Sequence, residues 1–367
     1  MHHRQNGFSL VEVIVGLGIG LISMLVVMQA FAVFEGEKRT TTSGVDAQNN
    51  GAISLYMIEQ DARMAGWGMD ATVYTGCDTT YSYCDGSAEC GGAVGALPGL
   101  DFASLKAVDG GTRPDTFAAQ YFADVKVASF SLPTNTTLQK TMPRPSAELD
   151  VGSVNGCNEG EFVLVQQAGS CTLMQITHIQ DTALKIQHNP GSSGPYNPPE
   201  AYQKENGWPA YTRGARLSCF AKPNAGALFQ RSYSIDTKTW HLQRTDSGNK
   251  EVIASDIMDL QLQYGITAGG GSQVVNDWVD AAGETWGNPS SDDAKRIKAV
   301  RIALVARSTQ YEKPKDGVCK TTTPEMVEKW SDWAAFKTGH YPDDWQCYRY
   351  KVFETVVPLR NVLWAKL

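Results

Sequence analysis

Residues 8–34 form an unbroken apolar run in which Glu12 is the one charged side chain. At 1.5 Å rise per residue, a helix of this length crosses a hydrocarbon layer of about 30 Å with some tilt. A secretory signal has a shorter apolar stretch, about 7–15 residues, with small residues at its far end. Here the polar leader and Gly7 precede the run, so the order is wrong for such a signal. A plain anchor has no use for a carboxylate five residues in. An unpaired ionised glutamate in lipid costs several kcal/mol, so Glu12 calls for a partner. Gly16 and Gly20 stand at GxxxG spacing, with Gly18 between them, and small residues let helices approach closely in lipid.

A cut between Gly7 and Phe8 supplies that partner. It makes Glu12 the fifth residue of the mature chain and creates a positive amino group on the same protein or its neighbour. The stretch Gly7-Phe8-Ser9-Leu10-Val11-Glu12 resembles the prepilin cleavage and methylation motif of type IV pilins and type II secretion pseudopilins. The resemblance implies that prepilin peptidase cuts after Gly7 and methylates the amine of Phe8. It also implies that Glu12 aligns each subunit with the preceding one during assembly. The leader holds Arg4 as its one fixed charge, fewer than such leaders usually hold.

The helix is expected to continue past Phe34, because residues 35–65 contain no proline. Leu55, Ile58, Ala62 and Ala65 recur on one face, and Gly66 and Gly68 make a credible stop. Gly36, Gly44 and Gly51 are expected to loosen the helix locally. Beyond residue 66 the period changes to two. Segments 259–264 and 299–304 alternate cleanly, 229–244 reads as a hairpin turning at 236–238, and 116–122, 161–167, 172–179, 183–188 and 350–357 are further strand candidates. No strand alternates with helices, so the sheet is expected to be antiparallel. Three insertions interrupt it, near 189–215, 267–296 and 308–348, and their length makes them candidate partner surfaces. The last should hold a short helix capped by Thr323 with Pro324 in its first turn and running to Lys337.

The fold class expected is therefore α+β. The resemblance sharpens this to a type IV pilin fold with a leader at 1–7, a transmembrane half-helix at 8–34, a periplasmic half at 35–66 and a β-rich domain at 67–367. Within the family, Asp46-Ala47-Gln48-Asn49-Asn50-Gly51, Asp61-Ala62-Arg63-Met64-Ala65-Gly66, Ala299-Val300-Arg301 and Val357-Pro358-Leu359-Arg360-Asn361 resemble the PilW-type minor pilins. That resemblance implies a subunit of the inner membrane with a periplasmic domain, later at the pilus tip on the cell surface. Its implied partners are other minor pilins, the major pilin, prepilin peptidase, inner-membrane lipid and a tip adhesin. A type II secretion pseudopilin is the alternative of the same fold. A membrane-tethered hydrolase or glycan-binding protein is the alternative of another class.

Eight cysteines stand at 77, 84, 90, 157, 171, 219, 319 and 347, with no CxxC spacing. An even count fits disulfides in an oxidising compartment. Short loops favour Cys157 with Cys171 and Cys319 with Cys347, leaving Cys77, Cys84, Cys90 and Cys219 to be divided. No GxSxG, Walker A, HExxH or EF-hand pattern occurs, and no two histidines have helical metal spacing, so no catalytic residue, cofactor or metal is expected. Asp292-Asp293 and Asp343-Asp344 offer oxygen ligands to calcium but read more simply as solvated turns. Trp278, Trp286, Trp330, Trp333 and Trp345 gather in the insertions, where packing or an interface would use them. Net charge is −7 with no basic stripe, which argues against a nucleic-acid partner.

Overall fold

The computed structural model describes residues 9–67, 77–90, 92–97, 103–122, 135–142, 148–191, 194–220, 228–246, 248–312, 314 and 317–364. One helix, Leu10–Met64, runs without a break for 55 residues, or about 82 Å. The central glycines do not interrupt it. Gly51 has a packing role instead: a Cβ there would lie 2.0 Å from the Phe353 ring, so its absence lets a strand lie against the helix. The helix stops where expected. Gly66 takes φ +76°, and its N–H donates to the Gln120 carbonyl at 2.8 Å, tying the turn to the sheet.

The helix packs on two antiparallel sheets. One has four strands in the order Asp277–Asp280, Ile257–Ile266, Ile297–Arg307 and Tyr350–Pro358. The other has five, ordered Asn249–Ala254, His241–Asp246, Leu228–Asp236, Thr116–Phe122 and Leu105–Val108. Alternation along the strands puts Leu260, Leu262 and Tyr264, then Val300, Ile302 and Leu304, into one core with Ile58, Ala62 and Ala65 of the helix. This helix-and-sheet scaffold is α+β, as its sequence periodicities require.

The opposite face of the four-stranded sheet is also covered. Val327, Phe336 and Tyr341 from the 308–348 insertion pack on Met258, Ala303 and Val305, with Trp330, Trp333 and Trp345 around them. These tryptophans pack around a second core, the packing use open to them in the sequence. The insertion's helix is one turn, Pro324–Val327, and does not reach Lys337. Tertiary packing of the aromatic rings, not helix propensity, holds the remainder.

A separate lobe rises between two neighbouring strands of the five-stranded sheet, which pair up to Phe122 with Leu228. Its main sheet orders Thr79–Tyr81, Ser170–Gln175, Phe162–Gln167, Arg216–Phe220 and Asn135–Thr137. The first two pair in parallel, the exception among the described strands, which otherwise pair antiparallel. That pairing sets Thr80 beside Cys171 and brings Cys77 within bonding reach, so the disulfide is Cys77–Cys171. Cys157 bonds Cys219 instead, since both lie in the same small core with Val163 and Leu217. The pairing Cys157–Cys171 is thereby corrected: loop length favoured it, but strand order decided otherwise. The remaining bonds are Cys84–Cys90 and Cys319–Cys347.

Candidate functional site

The candidate functional surface is the long helix, which divides into three parts. At its start, Gly7 and Phe8 lie outside the described residues. Ser9 is the N-cap, and its hydroxyl accepts the Glu12 N–H at 3.4 Å. The Glu12 carboxylate accepts the Ser9 N–H at 2.9 Å, completing a reciprocal capping box. Glu12 thus sits at the helix end where unpaired N–H groups favour negative charge. From Leu10 to Phe34 every side chain is exposed, apolar ones included. Gly16, Gly18 and Gly20 have nothing near the place a Cβ would occupy. This end of the helix is long and apolar enough to cross a membrane, and it packs on no described part of the chain.

The middle part is the contact with the sheets. Besides Gly51 on Phe353, Asn50 donates to the Ser255 carbonyl at 3.2 Å and Lys351 donates to Gln48 at 2.6 Å. Each bond joins the helix to a different sheet edge, which fixes how far the helix slides and turns on the head.

The upper end carries a charged clamp that sequence reading did not find. Asp61 is 2% exposed and falls on the same stripe as Ile58 and Ala62. Its carboxylate accepts from the Tyr121 hydroxyl at 2.7 Å, the Tyr233 hydroxyl at 2.5 Å and Arg231 Nη1 at 2.8 Å. Arg231 in turn donates through Nε to Asp246 at 2.9 Å. Burial and the Asp61 charge push both tyrosines above the ordinary phenol range, so they stay protonated as donors. A buried carboxylate without such partners would cost several kcal/mol. Beside it, Asn361 Nδ2 donates to the carbonyls of Arg63, Met64 and Ala65 at 3.3, 3.4 and 3.0 Å, capping the helix from the far end of the chain. The two segments that look alike to PilW-type pilins at 61–66 and 357–361 therefore meet in space. An acid on an apolar stripe was the available signal for Asp61. Nothing local marks Arg231 or Tyr121 as its partners.

Other candidate residues resolve into structure. The Arg301 guanidinium lies between Trp278 and Trp333, 4.9 and 4.4 Å from their ring centres, and so bridges two insertions. Arg296 covers Trp286 at 5.1 Å. Asp292 pairs with Lys295 at 2.6 Å, and Asp293 accepts from the Ser290 hydroxyl at 2.7 Å in a helix cap, which is the turn reading of that acid pair. Cys84, Asp85 and Cys90 come together as metal ligands would, but both sulfurs are spent in a disulfide. His178 meets Glu159 at 2.6 Å on the surface, while His188 is buried.

Comparison with known proteins adds two matches in chain order. Residues 2–28 match the prokaryotic N-terminal methylation motif, and residues 220–361 match the family described as Type IV Pilus-assembly protein W. The second match begins where the lobe ends and takes in the four-stranded sheet, three strands of the five-stranded one, Arg231 and Asn361. No curated protein matches the chain. Among solved structures, a type IV-like pilin, TTHA1219 from Thermus thermophilus, aligns at 10% identity over 56% of this chain and 87% of that one, with a TM-score of 0.22.

Proposed function

We propose that this chain is a minor pilin, a non-catalytic subunit that takes part in building a type IV pilus. The observation that carries the reading is the division of its helix: an apolar half with one carboxylate, packed on nothing described, and a half fastened to a folded head. Prepilin peptidase removes residues 1–7 and methylates Phe8. The apolar half, 8–34, holds the subunit in the inner membrane, with 35–66 and the head in the periplasm. On assembly the same apolar surface, with Gly16 and Gly20, passes from lipid to neighbouring helices. Glu12 then pairs with a neighbour's new amino terminus and sets the axial step.

The match to a pilus-assembly family supports a place with other minor pilins in a complex at the tip, where a larger adhesin can be carried. Intact mass and fragmentation of the mature chain test the first step, with methylated Phe8 as the expected amino terminus. Glu12→Ala should leave the head folded and cut recovery of the subunit in sheared pili by about tenfold or more, the effect of losing a buried charge partner. Normal recovery would sink the pairing. Co-purification with secretion pseudopilins, in place of pilus subunits, would assign the same chemistry to a type II secretion filament.

A further inference from the structure

The outward edge of the strand Leu105–Val108 is covered at one end and open at the other. Its register with Thr116–Phe122 sets Leu105 opposite Ala119 and Ala107 opposite Phe117. In the same register the Gln120 N–H donates to the Ser104 carbonyl at 2.8 Å. Backbone groups in such a ladder alternate in direction, so those of Leu105, Ala107 and Asp109 turn away from the neighbouring strand. The Asp109 N–H donates to the Ala281 carbonyl at 3.4 Å. The Tyr264 hydroxyl accepts the Ala107 N–H at 2.6 Å and donates to the Ala107 carbonyl at 3.3 Å. The outward N–H and C=O of Leu105 have no hydrogen-bond partner among the described residues, although this residue is only 8% exposed. Backbone groups in such places are nearly always paired.

Leu105 lines a cavity of about 540 Å³, within the range usual for binding sites. The apolar part of its wall is the margin of the scaffold core, since Leu105, Tyr264, Ile297, Leu359 and Val362 belong to both. The charged part is Asp78, Glu284, Asp293 and Lys106. Asp78 accepts the Ser291 N–H at 2.8 Å and the Ser291 hydroxyl at 3.1 Å, which ties the start of the lobe to the turn at 283–294 and holds the cavity open. Arg296 reaches Asp293 at 3.3 Å, so three carboxylates stand against two cations and the wall stays negative.

We propose that this cavity is a socket for an extended strand of a neighbouring pilus subunit, one with a basic side chain next to an apolar one. A strand laid along Leu105 completes its open pair of hydrogen bonds, as an added edge strand does. Successive side chains of that strand point to opposite sides, so an apolar one covers the core margin while the next meets the carboxylates. A basic side chain suits this wall twice, with a charged head for the acids and an apolar stem for the floor. The source of the strand rests on the minor-pilin reading, whereas the socket rests on the folded head alone.

The test titrates a short blocked peptide of alternating valine and lysine into the full chain in detergent micelles, with hydrogen–deuterium exchange at 103–108 as the readout of place. The peptide should bind and slow exchange there. The same peptide with methylated backbone nitrogens, or with glutamate for lysine, should bind about tenfold more weakly or worse, the effect of lost backbone bonds and reversed charge. Leu105→Pro removes an outward donor and no bond to the neighbouring strand, and should weaken binding by roughly two- to tenfold. Should that variant lose protection at 116–122, Glu284→Lys on the exposed rim is read instead and must weaken the lysine peptide by about threefold or more. No binding, equal binding of the methylated peptide, or the same protection from 1,5-diaminopentane alone overturns the socket. None of these outcomes alters the mass of the mature chain or the incorporation of Glu12→Ala, so the socket and the pilin reading fail separately.

Discussion

The scaffold and the lobe are built on different physical terms. The scaffold has a long helix as one wall, strands of up to 11 residues, and a core that joins three elements distant in sequence. It needs one disulfide, Cys319–Cys347, and that lies in the outer insertion. Many of the lobe's strands are only three residues long, its apolar cores are smaller, and it holds the other three disulfides. Small cores bury too little surface to offset chain entropy, and cross-links make up the difference. The family match covers the scaffold from residue 220 and stops short of the lobe. The contrast teaches that assembly geometry and lobe stability are separable.

The strongest way to break that separation is to remove the lobe's longest-reaching internal bond apart from its entry link. Cys157 and Cys219 close a loop of 62 residues, for which chain entropy predicts a contribution of about 4 kcal/mol. Cys157→Ala with Cys219→Ala should unfold the lobe at lower temperature or denaturant while the scaffold keeps its exchange protection. Equal loss of protection at 297–307 would show one cooperative unit and end the comparison.

A pH series sharpens it, because the lobe holds a buried histidine that the medium can charge. His188 in the lobe is fully buried, its Nε2 has no hydrogen-bond partner among the described residues, and desolvation lowers its pKa to about 4. The unfolded ring titrates near 6.5, so between 6.5 and 4 the unfolded state binds more protons. Lobe stability is complete above about 6.5 and falls as the medium is acidified toward 4, by on the order of 3 kcal/mol at most. Exchange at 162–175 should therefore speed up in acid, and His188→Gln should blunt the change. A lobe indifferent to acid would mean that water or a rearranged neighbour solvates the ring.

How far the sequence reveals these parts follows from their physics. The strand Thr116–Phe122 is readable residue for residue, and 259–264 and 299–304 mark their strands because one face meets the helix core and alternation is clean. The strand Asn249–Ala254 gives no signal, being an edge with most side chains in solvent. Phe162–Gln167 is buried on both faces, so its apolar run reads as a strand without telling which neighbours it takes. Glu12 is legible because a charge within an apolar run is an anomaly at any range. Asp61 is not, since its meaning comes from Arg231, 170 residues away. Cysteine pairing has the same limit: Cys171 pairs according to which strand lies beside it, which loop length does not encode.

The smallest expected effect bears on where scaffold and helix join. Asn361 caps three carbonyls at the upper end of the helix, the place where the chain leaves for the lobe. Helix ends carry unsatisfied carbonyls, and one side-chain amide serving them contributes about 1 kcal/mol. Asn361→Ala should lower scaffold stability by that amount and speed exchange at 62–65, leaving 162–175 in the lobe unchanged. If the lobe loosens too, the cap also holds the lobe's entry, and the boundary between the two parts moves from residue 77 back to the helix end. If neither region changes, Gly66 N–H on the Gln120 carbonyl suffices to stop the helix, and the Asp61 clamp to Arg231 holds its upper end on the sheet.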